Sequence, residues 1–172
     1  MALTQGTTNS GAKRGGASAT VELVAAVPID HAWKVSVPAD PTKFYPKFGP
    51  LPAVIAVENQ TGPWDTIGRT RQLMLSDGGS VIEHIRNVQQ PNFFAYELTD
   101  FQKLFGHLVK GARAEWTYTE VPGGTNIAWT YSFHPKRGAG ALVAAIVRLA
   151  WAPYMRKVLP GIVAAVEKEP QR

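Results

Sequence analysis

The sequence predicts an α+β domain in which a long, kinked C-terminal helix lies across a curved antiparallel sheet of seven strands. Three observations support this prediction. The longest helical signal spans residues 139–167, strand and turn signals alternate over residues 53–134, and two short helical signals follow the first strand. A sheet of this kind must bury one face, and the C-terminal segment is long enough to cover it.

The first strand is predicted over residues 20–27. Its one charged residue, Glu22, indicates that the even positions face solvent. The odd positions then face the core: Val21, Leu23, Ala25 and Val27. Pro28 ends this strand because it has no backbone N–H to donate.

Two short helices are expected next. The first covers residues 29–37 and carries Trp33. The second begins at Asp40 and Pro41, since aspartate is a good N-cap acceptor and proline suits the first helical position. We expect this second helix to end at Phe48-Gly49.

A meander of six strands follows. Ser76-Asp77-Gly78-Gly79 predicts a tight hairpin turn because Asp and Gly tolerate positive φ, and Pro122-Gly123-Gly124 predicts a second turn. A longer loop is expected over residues 101–107. The strands are predicted at residues 53–60, 67–75, 81–88, 93–98, 110–121 and 125–134.

Alternation in the last two strands assigns side chains to the face beneath the helix. In the sixth strand the inward set is Ala114, Trp116 and Tyr118. In the seventh strand it is Ile127, Trp129, Tyr131 and Phe133. We therefore expect an aromatic inner face at the centre of the sheet.

The C-terminal helix has two halves. Residues 139–152 carry one charge, Arg148, so this half is apolar around most of its circumference, whereas residues 155–167 are amphipathic. Pro153 and Pro160 each remove a backbone donor, at about 3 kcal/mol in a helix interior. We predict a break or kink at Pro153 and a bend at Pro160-Gly161, which would leave space for a cavity beneath the helix.

Composition indicates one globular domain. The chain has 172 residues, of which 45% are hydrophobic and 18% charged. Cysteine is absent, which excludes disulfides and thiolate metal sites and suits a reducing compartment. Residues 1–17 are rich in Gly, Ser and Thr and predict a disordered tail rather than a signal peptide, so the domain is expected over residues 18–169 of a cytoplasmic protein.

The charge pattern argues against nucleic acid as a partner. The formal net charge is +5, yet the 18 Lys and Arg residues never occur in runs longer than two, whereas nucleic-acid surfaces cluster their cations. The apolar run of residues 139–152 is shorter than the roughly 18 residues of a membrane span, so we interpret it as a core helix.

Motifs for common chemistry are missing from the sequence. It contains no nucleophile elbow, phosphate loop, dinucleotide fingerprint or zinc motif, and no histidine has a partner at metal-ligand spacing. We therefore predict no cofactor, no metal site and no assigned catalytic residue.

Short motifs along the chain carry a family resemblance. They are Pro28-Ile29-Asp30-His31-Ala32-Trp33, Asp40-Pro41, Ile67-Gly68-Arg69-Thr70-Arg71, residues 79–83 and Gly123-Gly124-Thr125-Asn126-Ile127-Ala128-Trp129. This pattern, over residues 19–169, resembles the START and birch-pollen-allergen (SRPBCC) superfamily, and in particular the bacterial polyketide cyclase/dehydrase and lipid-transport family. The resemblance implies a helix-grip fold with a cavity for a hydrophobic or amphipathic ligand between sheet and helix.

Arg71 and Glu83 are the polar residues expected in that cavity. In the expected hairpin register Leu73 faces Glu83, and Arg71 lies diagonally from Glu83 on the same inward face. The resemblance to the plant abscisic acid receptors implies a pocket glutamate near Glu83. A buried carboxylate needs a partner, and Arg71 is available; the pair would anchor a ligand hydroxyl or carboxylate. The alternative is a cross-strand ion pair on the solvent side.

Aromatic residues would supply apolar area with polar tips to such a pocket, with ordinary core packing as the alternative for each of them. The candidate ligand-binding residues are Arg71, Leu73, Glu83, Ile85, Tyr96, Leu98, Trp116, Tyr118, Trp129, Tyr131, Met155 and Leu159.

Three functional hypotheses follow. The leading one is non-catalytic binding or transport of a small hydrophobic ligand, such as a lipid, a polyketide or an isoprenoid-like molecule. The second is an enzyme of the cyclase or dehydratase type, with Glu83, Tyr118 or Tyr131 as general acid or base. The third is contact of residues 139–152, through flanking cations, with an anionic membrane or a partner subunit. The alternative interpretation of this segment is burial in the domain's own core. Those cations are Lys136, Arg137, Arg148, Arg156 and Lys157. The ligand and the oligomeric state are left open.

Overall fold

The computed structural model describes residues 17–171, in which seven strands form one antiparallel sheet in the order β1-β7-β6-β5-β4-β3-β2. The strands are β1 (Ala17–Ala25), β2 (Val54–Glu58), β3 (Thr70–Leu75), β4 (Ser80–Gln89), β5 (Phe93–Thr99), β6 (Val109–Val121) and β7 (Gly124–Pro135). The α+β class and the seven-stranded sheet are confirmed. The predicted tail, residues 1–17, lies outside the described residues except for Ala17, which begins β1.

Helices cover one face of this sheet. They are α1 (Ile29–Ser36), α2 (Lys103–Leu108), α3 (Gly140–Ile146) and α4 (Ala152–Lys168), with a 3₁₀ turn at Pro41–Lys43 and a π-helical turn at Val147–Trp151. α4 packs along β1 and against α1, and α1 reaches β6 and β7. The core lies between these helices and the sheet.

The second short helix is much shorter than predicted. Its start is as expected, because Asp40 Oδ1 accepts a hydrogen bond from the Thr42 backbone N–H at 3.0 Å. It ends at Lys43 rather than at Phe48. Pro46 explains the early end, since proline has no N–H and disfavours helical geometry at the residue before it.

The predicted loop over residues 101–107 contains a helix instead, α2. Phe101, two residues before α2, and Phe105, within it, both pack on Phe133 of β7, with ring centroids 6.4 and 5.3 Å away. These two apolar rings anchor the segment to the sheet, which the loop prediction overlooked.

The C-terminal helix continues through both prolines. At Pro153 the chain does not break; the irregularity predicted there takes the form of the π-helical turn just before it, in which the Ala152 N–H donates to the Val147 carbonyl. This wider turn carries the chain into α4 with Pro153 in its first turn, where a missing N–H costs little. Pro160 lies inside α4 on its exposed side, and the helix runs on to Lys168.

The inward sets of β6 and β7 are confirmed, since all seven side chains are buried. The inward assignment in β1 also holds for Leu23, which pairs with the buried Ile127 and therefore lies on the same face. Leu23 is nevertheless 39% exposed, because β1 is an edge strand with a neighbour on one side only. Ala25 and Val27, nearer to α4, are buried as expected.

Candidate functional site

A buried ion pair is the most polar feature of the inner face of the sheet. Arg71 on β3 lies directly opposite Glu83 on β4. Arg71 Nε donates to Glu83 Oε2 at 2.6 Å, and the two side chains are 8% and 4% exposed. The solvent-side alternative is therefore wrong. Burying either charge without the other would be costly, so the two residues stabilise each other's position.

The register of this hairpin differs from the prediction by two residues. Leu73 pairs with Val81 rather than with Glu83, which makes Arg71 the direct partner of Glu83 instead of its diagonal neighbour. The Leu75 N–H donates to the Gly79 carbonyl at 2.9 Å, so the chain reverses around Asp77. A shift of two residues leaves every side chain on its predicted face.

The ring of Trp64 packs against the guanidinium group of Arg71. The centroid of its ring lies 3.9 Å from Arg71 Cζ, and the side chain is 3% exposed. A cation over a desolvated aromatic face gains about 2 kcal/mol. Trp64 belongs to the connection between β2 and β3, where neither periodicity nor a motif marked it in the sequence. It therefore holds the guanidinium against Glu83.

Three tyrosines surround the carboxylate. Burial raises the pKa of Tyr96 and Tyr131 well above 10.0, and the negative charge of Glu83 raises it further. Burial is also the main cause of the raised pKa of Tyr45, and the charges of Tyr96 and Glu83 raise this pKa further. These phenols therefore stay protonated, and they can donate hydrogen bonds but cannot act as bases at neutral pH.

A hydrogen-bond chain links α1 to the sheet. Ser36 Oγ donates to the Ala32 carbonyl at 2.7 Å, so the Tyr118 hydroxyl, 2.7 Å from Ser36 Oγ, donates to it. Burial raises the pKa of Tyr118, and the hydrogen bond to Ser36 partly offsets this. The chain of bonds positions the Tyr118 ring beneath α1.

The cavity between sheet and helices is small. Its volume is about 30 Å³, enough for one or two water molecules. Of the predicted site residues, it is lined by Arg71, Tyr96, Trp116 and Tyr118. Further lining residues that sequence reasoning missed include Ser36, Phe44, Tyr45, Trp64, Phe94 and Ile162.

The other eight predicted residues lie in the same core without lining the cavity. They are Leu73, Glu83, Ile85, Leu98, Trp129, Tyr131, Met155 and Leu159, all buried. Aromatic rings fill the space that the helix-grip fold leaves between sheet and helix; Trp129, for example, stacks on Trp116 at 4.9 Å. Much of the candidate site is thus occupied by the protein's own side chains.

A wider groove lies outside the cavity. It encloses about 300 Å³ between Asp40, Thr42, Val57, Gln60 and neighbouring residues. Arg71 and Pro41 line both the groove and the cavity. Arg71 therefore lies at the wall between the surface and the interior.

Two buried indole N–H groups, those of Trp129 and Trp151, have no acceptor among residues 17–171. A buried donor without a partner costs roughly 1–3 kcal/mol. Trp151 lies 4.6 Å from the Tyr131 ring and 5.5 Å from the Tyr154 ring, inside the aromatic cluster. The interior therefore offers hydrogen-bond donors that its own groups leave unused.

Comparison with known proteins identifies the family. Residues 16–167 match the protein-family profile described as "Polyketide cyclase / dehydrase and lipid transport". The chain belongs to this family. The match covers nearly the whole chain, so the resemblance to the SRPBCC superfamily is confirmed. No curated protein matches the chain.

Solved structures support the same fold. The crystal structure of Ara h 8.0201 is 20% identical and has a TM-score of 0.60, covering 89% of this chain and 96% of that one. Protein CV1439 from Chromobacterium violaceum is 14% identical with a TM-score of 0.62, and the match covers 89% of this chain and 99% of that one. Ms6760 from Mycobacterium smegmatis is 16% identical with a TM-score of 0.58, and the match covers 90% of this chain and 93% of that one. At these identities the likeness shows the helix-grip fold alone.

Family and fold together indicate an SRPBCC domain of the kind that binds small hydrophobic ligands. Within the described residues no helix combines the length and the apolar character of a membrane span. Nor do three His, Asp or Glu side chains of residues 17–171 come together as metal ligands.

Proposed function

We propose that this protein binds and carries a small hydrophobic molecule with one polar group, such as a hydroxylated lipid, polyketide or isoprenoid-like compound. The observation that carries the proposal is the position of Arg71, paired with Glu83 and lining both the surface groove and the inner cavity. A ligand entering from the groove would meet Arg71 on its way to the cavity. The cysteine-free chain suits a carrier in a reducing compartment such as the cytoplasm.

The ion pair favours a neutral polar group. Among the described residues Arg71 donates only through Nε, and Glu83 accepts only through Oε2. The terminal guanidinium nitrogens and Glu83 Oε1 therefore remain to donate to and accept from a ligand. A hydroxyl can do both without adding charge to a buried site, whereas a carboxylate would compete with Glu83 for Arg71.

The apolar part of the ligand requires a larger pocket than the present one. Pockets for small molecules usually have about 300–1,000 Å³, roughly ten times the volume of this cavity or more. Tyr45 and Trp64 wall the cavity from connecting segments rather than from strands or helices. Such segments move at a lower free-energy cost than paired strands, so we infer that these two rings swing outward when the ligand enters.

The first experiment is native mass spectrometry of freshly purified protein, compared with its denatured mass and followed by extraction of any released molecule. A co-purified apolar molecule with a hydroxyl group is the expected result. That molecule is then titrated against the Glu83→Gln and Glu97→Gln variants. Glu97 forms the matching pair with Arg86 on the exposed face, at 2.7 Å.

We expect Glu83→Gln to weaken binding at least tenfold and Glu97→Gln to leave it unchanged, because only the former changes the partner of Arg71, which lines the cavity and the groove. An undiminished affinity in folded Glu83→Gln protein would remove Glu83 from the site. If Glu83→Gln does not fold, the double variant Arg71→Met/Glu83→Leu tests the same point, since an apolar pair replaces the ion pair without leaving a buried charge.

The second candidate function is a cyclase or dehydratase that uses the same pocket. It is favoured by the protonated Tyr118 hydroxyl in the cavity wall, because this phenol could turn from Ser36 Oγ, 2.7 Å away, and donate a hydrogen bond to the charge that develops on a substrate oxygen. Incubation of the extracted molecule with the protein, followed by mass analysis, distinguishes the two functions. Conversion that falls about a hundredfold in Tyr118→Phe would support the enzyme. Recovery of the molecule unchanged would support the carrier.

A further inference from the structure

The first half of the C-terminal helix has an apolar face that the domain leaves uncovered. Val143 and Val147 point into the core, whereas Leu142 is 53% exposed and Leu149 is 70% exposed. These two leucines are seven residues apart and therefore lie on the same side of the helix. Ala145 and Ile146, between them, are half-buried. Apart from Arg148, the exposed residues of this segment are thus apolar.

A third exposed leucine lies at the same end of the sheet. Leu104 of α2 is 68% exposed. α2 and the π-helical turn pack on a common residue, since the rings of Phe105 and Trp151 each lie 5.3 Å from the ring of Phe133. Lys136 Nζ, in the segment between β7 and α3, also donates to the Gly106 carbonyl of α2. We call the region around Leu104, Leu142 and Leu149 the leucine surface.

The two segments that carry the leucine surface bear positive charges and no negative ones. Residues 101–112 and 135–166 contain no acidic residue. The exposed cations of these two segments include Lys110, Lys136, Arg137, Arg148, Arg156 and Lys157. The nearest acidic residues along the chain are Asp100 and Glu167, just outside the two segments. An apolar centre with a cationic border fits the interface of an anionic bilayer.

We propose that the leucine surface docks on the face of an anionic phospholipid bilayer. The three leucines enter the headgroup region, and the surrounding lysines and arginines contact the lipid phosphates. The same charges argue against a second copy of this chain as the occupant, because two such surfaces would repel each other. Docking is independent of the ligand pocket, since neither the cavity nor the groove contains these residues.

Vesicle flotation of the full chain tests the proposal. Vesicles of phosphatidylcholine with phosphatidylserine should bind the protein at low salt, and vesicles of phosphatidylcholine alone should bind it much less. Raising the salt from about 0.01 to 0.15 M should weaken binding, because the screening length falls from roughly 30 to 8 Å. Arg148→Gln should reduce binding about fivefold.

The double variant Leu142→Gln/Leu149→Gln should weaken vesicle binding at least tenfold. Its matched control is Ile55→Gln/Ile67→Gln, in which the replaced side chains are 60% and 59% exposed but lie at β2 and the connection after it. Equal losses in the two double variants, or no binding to anionic vesicles at low salt, would overturn the proposal. A third result would also overturn it: a protein that binds no vesicles but forms a dimer, with the dimer lost in the Leu149→Gln variant.

The ligand experiment is carried out without vesicles, so its failure and the failure of membrane docking are separate results. Circular dichroism of every variant confirms that the fold is retained.

Discussion

Arg71 Nε and Glu83 Oε2 lie 2.6 Å apart on the buried face of the sheet, so that each charge compensates the other beside the cavity. Both side chains are almost completely removed from solvent. A buried pair of this kind need not add stability compared with an apolar pair, but removing one partner leaves an uncompensated charge.

Glu83→Gln should therefore lower the free energy of unfolding by about 3–5 kcal/mol, measured by urea denaturation at neutral pH. Glu97→Gln is the control, because the Arg86–Glu97 pair on the other face is 49% and 42% exposed and should contribute less than about 1 kcal/mol. Similar small losses in both variants would contradict the buried pairing.

All five tyrosines of the chain should resist ionisation. Burial raises the pKa of each above 10.0; they are Tyr45, Tyr96, Tyr118, Tyr131 and Tyr154. The unfolded chain then loses phenolic protons first, so the tyrosines leave stability unchanged below about pH 10 and lower it above that pH, by about 1.4 kcal/mol per pH unit for each such tyrosine. Phenolate absorbance should appear together with unfolding.

Ultraviolet titration checks this prediction, with the protein in urea as the control, where the tyrosines should titrate near pH 10. Native protein that forms phenolate at that pH while its far-ultraviolet circular dichroism stays unchanged would contradict the burial of these hydroxyls.

The hydrogen bond between Tyr118 and Ser36 should contribute about 1 kcal/mol to stability. Tyr118→Phe removes it without leaving Ser36 Oγ unpaired, since that hydroxyl also donates to the Ala32 carbonyl. Urea denaturation of Tyr118→Phe, Ser36→Ala and the double variant forms a double-mutant cycle. A coupling energy near zero would mean that the two hydroxyls do not interact.

Two glycines should respond in opposite ways to alanine. Gly161 lies in α4 with free space around the position of a Cβ, so Gly161→Ala should raise stability by about 0.4–1 kcal/mol. Gly124 has a φ of +151°, and a Cβ there would overlap the Ala25 carbonyl, so Gly124→Ala should lower stability by about 2 kcal/mol or more. Thermal denaturation of both proteins measures the difference. Equal effects would contradict the close approach of β1 and β7.

The elements were predictable where side-chain alternation is strong. Trp116 and Tyr118 on β6 and Trp129 and Tyr131 on β7 were assigned inward correctly because both strands alternate over many residues. The β3–β4 register was missed by two residues, since the hairpin sequence allows several loop lengths. The shift left Arg71 and Glu83 on one face, so the pairing was still found.

The contents of the cavity were not predictable from alternation. Tyr45 and Trp64 reach the cavity from connecting segments, whose path depends on tertiary packing rather than on a repeat in the sequence. Alternation also does not reveal whether an inward ring lines a space or fills it. Trp129 points inward as expected, yet it stacks on Trp116 and packs against Tyr45 instead of bordering the cavity.

Because of the π-helical turn at Val147–Trp151, the packing of the C-terminal helix on the sheet depends on the number of its residues as well as on their types. Its core-facing positions recur every four residues, at Val143, Val147, Trp151, Met155 and Leu159. An α-helix turns about 100° per residue, so each step of four overshoots a full turn by about 40°, and only a wider turn can keep all five positions towards the sheet. Deleting one residue there should give a regular α-helix in which Val143 and Met155 still face the sheet, because eleven steps of about 100° differ from three full turns by only about 20°. Homologous chains with a regular helix here should therefore be one residue shorter between the positions of Val143 and Met155.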